Sequence, residues 1–108
     1  SDPAFTFNKD GVHPDSAGHW VMAQAVLAGL GADSVAAHES ARAMAAARPR
    51  GEEIAALVAQ RQGIVKLAWL SAVGHTRPGI KPGLPLPEAK VKADALDAQI
   101  ATLLKPAP

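Results

Sequence analysis

The chain has 108 residues, 48% of them hydrophobic, with eleven Lys and Arg against ten Asp and Glu, a net charge of +1 and no cysteine. Such a length allows one domain with a modest core. The charge balance gives no case for nucleic acid or an anionic membrane, and the missing thiols exclude disulfides and thiolate metal sites.

Residues 1–9 hold one weak strand signal, Phe5-Thr6-Phe7, too short to stand alone. Asp10-Gly11-Val12-His13-Pro14 follows, an acid three positions before a histidine. A neutral imidazole takes a proton from a hydroxyl near neutral pH if its ring is held in one tautomer, and a carboxylate accepting the Nδ1 proton holds it so. Gly11 lets the backbone turn, and Pro14 stiffens the exit and biases His13 toward an extended conformation. The same residues also read as an ordinary Asp-Gly turn with an exposed histidine.

The first helix is predicted over 16–30, with Asp15 as N-cap and Gly31 as the stop. His19, Met22, Ala23, Val26, Leu27 and Leu30 form one stripe along it. His19 is either a second imidazole near His13 or a packed or capped histidine at the edge of a core. A metal site from Asp10, His13, Asp15 and His19 lacks an established ligand spacing. A calcium loop starting at Asn8 fails because its twelfth position is His19 rather than Glu. No metal and no cofactor is expected.

Residues 34–48 are alanine-rich and predict a helix that Pro49 and Gly51 end, with Val35 and Met44 as its large apolar residues and His38 solvated. The strongest pattern runs over 52–73, where Ile54, Leu57, Val58, Ile64, Val65, Ala68, Trp69, Ala72 and Val73 keep one face. Arg61 sits in that stripe. Either its stem covers apolar surface while its head reaches water, or it pairs with a buried carboxylate or with carbonyls of the 10–13 loop. Gly63 is a place where bending would be cheap.

Residues 74–87 form a Pro- and Gly-rich loop expected to lie in extended form against the body, with Ile80, Leu84 and Leu86 along it. His75 and Arg77 are its polar handles, for an anionic group or for capping the preceding helix. The last helix is predicted over 87–104, with Pro87 at its start and Pro106 as its stop. Leu86, Ala89, Ala93, Leu96, Ile100 and Leu103 make a narrow seam suited to antiparallel packing on the 52–73 helix, or to a partner chain. No run of about 18 apolar residues occurs, so no membrane span is expected, nor does a signal-peptide pattern open the sequence.

Asp10-Gly11-Val12-His13-Pro14, followed by Gly18-His19 and a helix with Met22-Ala23, resembles the last motif block of the SGNH (GDSL-type) esterases. Further on stand Arg61, Ala68-Trp69-Leu70, Val73-Gly74-His75-Thr76-Arg77-Pro78-Gly79, Gly83-Leu84-Pro85-Leu86 and Glu88-Ala89. These look like the C-terminal tail of a bacterial, planctomycete-like subgroup of these hydrolases. The resemblance implies that residues 1–31 end an α/β/α catalytic domain and that 32–108 form a helical extension. It implies Asp10 as the orienting acid and His13 as the general base of a Ser-His-Asp triad, an ester substrate, and a periplasmic or secreted parent.

The family's Gly-Asp-Ser block and its oxyanion-hole Gly and Asn are not found in this sequence. The expectation is therefore a mainly α chain of three to four helices that is inactive alone and completed by an upstream part of the same polypeptide. The alternative is a non-catalytic helical module that self-associates through its apolar faces, since an uncovered first-helix stripe would be an association-prone patch.

Overall fold

A computed structural model describes residues 6–76 and 78–105. Over these the chain is mainly helical, with α1 at Ser16–Gly29, α2 at Asp33–Ala36, α3 at Ala41–Ala46, α4 at Gly51–Ala72 and α5 at Leu86–Leu103. They fall into two compact units, Ser1–Arg48 and Pro49–Pro108. Residues 32–48 thus belong to the same unit as the first helix. Phe5, Arg77 and Pro106 lie outside the described residues, and Thr6 and Phe7 are in no strand.

In the first unit, α1 begins where Asp15, extended at φ −79° and ψ −173°, turns its carboxylate to the N–H groups of Ala17 and Gly18, both at 3.0 Å. These are two of the donors that a helix start leaves without a partner. The helix ends as Gly31 predicts. At φ +75° its N–H donates to the Ala28 carbonyl, and the Ala32 N–H reaches back to Leu27 at 2.9 Å, the paired bonds of a Schellman stop.

The single helix expected over 34–48 is instead two short ones. The carbonyl of His38 accepts from Trp20 Nε1–H at 2.9 Å and from Gln24 Nε2 at 3.1 Å, and Gln24 also donates to Ala36 at 2.8 Å. Those carbonyls point at side chains of α1, which takes them out of a helical ladder. Ser40, extended at φ −157°, then starts α3 by accepting the Ala43 N–H at 3.0 Å. Alanine propensity is overruled by tertiary hydrogen bonds and a strong N-cap residue.

The core of this unit is small. Trp20 and Ala45 are its buried apolar side chains among the described residues. The stripe along α1 is only partly covered. Ala23 and Leu27 are half-buried, whereas His19, Met22, Val26 and Leu30 are exposed, Val26 at 61% and Leu30 at 78%.

The second unit is a helical hairpin. α4 follows Arg50, whose left-handed backbone (φ 57°) is accompanied by a two-pronged pair to Glu53 at 2.9 and 3.0 Å. It continues unbroken through Gly63 and ends in a second Schellman stop. There Gly74, at φ +69°, donates to Ser71, and His75 donates through its backbone N–H to Leu70 at 2.9 Å. The loop then doubles back along α4. The Gly83 N–H donates to Ser71 Oγ at 2.7 Å, and the Gly83 Cα lies so close to the Leu67–Ala68 peptide that a Cβ would collide with it.

α5 starts at Leu86, with Pro87 in its first turn. It runs antiparallel to α4. Ala68 lines one groove with Leu86 and Ala89, Arg61 bonds Asp97, and Leu57 lines a groove with Leu103. Ala68, Ala89, Ala93 and Leu96 are buried along the seam, with Ile100 and Leu103 half-buried beyond them. The α4 stripe is divided: Ala68 is buried and Leu57 and Ile64 are half-buried, while Val58, Trp69 and Val73 stay exposed. No helix among the described residues is long and apolar enough to cross a membrane.

Candidate active site

Asp10 and His13 meet. Gly11 takes φ +76°, and the turn it makes brings Asp10 Oδ2 to 2.8 Å from His13 Nδ1. The carboxylate can only accept here, so the ring donates from Nδ1 and Nε2 is left as the basic nitrogen. The other oxygen, Oδ1, accepts the backbone N–H of His13 at 2.7 Å and of Val12 at 3.0 Å. One carboxylate therefore closes the turn and grips the ring at once. The Asp-Gly turn and the oriented imidazole, alternatives at the level of sequence, are two aspects of one arrangement.

These bonds favour the ionised acid. The Asp10 carboxyl is lowered from 3.8 to about 2, first by the backbone N–H of His13, then by its side chain, then by the Val12 N–H. The pair stands open to solvent, with the His13 side chain 75% exposed. Asp15, one turn on, is also lowered, chiefly by the Gly18 N–H and further by Ala17 and by Lys9, whose Nζ lies 3.5 Å away.

The remaining candidates are engaged elsewhere. His19 donates from Nδ1 to the Asp15 carbonyl at 2.9 Å and stands exposed on the first turn of α1. Its ring bonds a carbonyl that already accepts the His19 backbone N–H, and it is exposed rather than packed at the edge of a core. Among the described residues no three of His, Asp and Glu gather where they could hold a metal ion. Arg61 donates from Nε to Asp97 Oδ1 at 2.7 Å, with its side chain 33% exposed. It thus has a carboxylate partner, but one on α5 that is half open to solvent. His75 ends α4 through its backbone N–H, and its ring lines an open depression of about 590 Å³ with Ser71, Thr76 and Lys81. Arg77 lies outside the described residues.

Sequence reasoning missed the two backbone bonds to Asp10 Oδ1. An Asp followed by Gly is a signal for them, because a short carboxylate readily bonds the backbone two and three residues on. It also missed Trp20 and Gln24 as the ties between α1 and the 36–38 carbonyls, for which no local pattern exists. Compared with protein-family models, with curated proteins and with solved structures, the chain has no match in any of the three.

Proposed function

We propose that this chain carries the acid–base half of an SGNH-type serine esterase, with Asp10 orienting and His13 acting as general base. The observation that supports this reading is the Asp10 carboxylate on His13 Nδ1 at 2.8 Å, which makes Nε2 the basic nitrogen of an exposed side chain. In the reaction, a serine supplied by an upstream part of the polypeptide loses its hydroxyl proton to His13 Nε2 as its Oγ attacks the ester carbonyl. Asp10 stabilises the imidazolium that results. The protonated ring then gives the proton to the departing alcohol, leaving an acyl-serine. Water hydrolyses this intermediate with the same histidine taking its proton. The chain alone holds neither nucleophile nor oxyanion hole and is inactive.

The test uses the polypeptide that joins an upstream Gly-Asp-Ser block to these residues. His13→Ala should lower turnover of p-nitrophenyl acetate by roughly 10²–10⁴-fold while helix content is kept. Unchanged turnover removes the assignment.

A second reading, a non-catalytic helical module that pairs with another copy, is favoured by the uncovered Met22, Val26 and Leu30 on α1. Light scattering separates the two. A monodisperse dimer without esterase activity, even when joined to the upstream part, supports the module.

A further inference from the structure

The D-x-x-H turn needs a foundation, because nothing within residues 10–13 fixes where the pair stands relative to the helix that follows. Two flanks of this loop converge on one residue. A Cβ built on Gly18 would collide with the Phe7 carbonyl oxygen, and it would come within 3.1 Å of Pro14 Cβ. Phe7 precedes the turn and Pro14 leaves it, so both ends of the loop rest on the same bare Cα. Gly18 is itself fixed, since its N–H donates to the Asp15 cap at 3.0 Å, and it is buried. Glycine is otherwise a poor choice in the first turn of a helix. Gly29, in the same helix, has nothing within 4 Å of its own Cβ position.

We propose that Gly18 is the positioning residue of the Asp10–His13 pair: its missing side chain seats the Phe7 carbonyl and Pro14 on the first turn of α1, and so holds the loop that carries the acid and the imidazole. The functional consequence rests on the acid–base reading above; the positioning itself does not. A methyl group at Gly18 lifts the loop from the helix and opens the turn, while α1, gaining a better helix former, persists. With the residues on either side of it, Phe7 and Pro14, no longer seated together, the 10–13 turn is held less firmly, so the Val12 and His13 N–H groups and the ring bond Asp10 for less of the time.

The experiment is a carbon-detected NMR titration of the Asp10 and Asp15 carboxyls in this chain, with Gly18→Ala beside the unaltered protein and Gly29→Ala as the control for helix stabilisation. In Gly18→Ala the Asp10 carboxyl, about 2 in the native turn, should rise by about one unit or more toward its ordinary range. Asp15 should stay low, because the Gly18 N–H that it accepts is retained, and helix content by circular dichroism should not fall. Gly29→Ala should move neither carboxyl. An unmoved Asp10 with α1 intact overturns the proposal. So does loss of α1 together with both carboxyl shifts, which would make Gly18 a requirement of helix formation alone. Since no activity is read, failure of the esterase assignment, seen as His13-independent turnover, leaves this result standing and is told apart from it.

Discussion

The two units of this protein are held together by different physics. Ser1–Arg48 is organised by side chains that bond backbone: Asp10 and Asp15 each gather two N–H groups, Trp20 and Gln24 take the carbonyls of Ala36 and His38, and Ser40 opens α3. Among the described residues its buried apolar core is little more than Trp20 and Ala45. Pro49–Pro108 is organised by a seam of small and aliphatic residues between two long helices, and its ion pairs are partly or largely exposed. A polar scaffold sets directions, as in the Asp10–His13 pair, while an apolar seam sets proximity. Directional bonds can hold a ring in one orientation; burial alone is indifferent to it.

Each unit carries one tryptophan, which makes the comparison measurable. Trp20 is 8% exposed and Trp69 56%, so acrylamide should quench Trp69 far more strongly when each is studied with the other replaced by Phe. The largest stability effect is expected in the hairpin. Leu96→Ala, at a buried seam position, should cost about 2–5 kcal/mol, read as an earlier denaturant midpoint in Trp69 fluorescence. If the Trp20 signal moves equally, the two-part description breaks.

Gly83→Ala should cost about 1–3 kcal/mol by overpacking, because its Cβ has no room against the Leu67–Ala68 peptide. Gly63→Ala should instead stabilise α4 by about 1 kcal/mol, since nothing lies within 4 Å of that Cβ position. Two glycine replacements in one unit with opposite signs sharpen the claim that close approach, and not flexibility, is what Gly83 supplies. In the first unit, Ser40→Ala should cost about 1 kcal/mol through the lost cap, seen as faster amide exchange over 41–46.

The smallest effect is the pH response of the 10–13 turn. Asp10 titrates at about 2 when folded against 3.8 ordinarily. Its folded-state value is depressed, so the contribution of its bonds is complete above the ordinary value and is lost as pH falls through about 2. Amide shifts of Val12 and His13 should report this loss while the hairpin helices stay unchanged. A turn that keeps its amide shifts below pH 2 would show that the carboxylate does not hold it.

The long-period elements were legible from residue spacing alone. α1, α4 and α5 lie within one residue of the helices predicted over 16–30, 52–73 and 87–104, because caps such as Asp15 and stops such as Gly31 and Gly74 act locally. The antiparallel seam of Leu86, Ala89, Ala93, Leu96, Ile100 and Leu103 followed from its spacing for the same reason. The helix expected over 34–48 failed because its decisive bonds come from Trp20 and Gln24, far away in sequence. The α1 stripe was legible as a stripe, yet its spacing carried no information about whether anything lies over it.

The order of residues was enough to place the three long helices and their ends to within one residue, and to put an acid three residues before a histidine across a glycine. Those outcomes depend on contacts between near neighbours, which residue order encodes directly. It took the folded chain to give the His38 and Ala36 carbonyls to α1, to bring Arg61 to Asp97 on the opposite helix, and to rest both Phe7 and Pro14 on Gly18. Those outcomes need segments distant in sequence to meet, and local propensity does not specify which will.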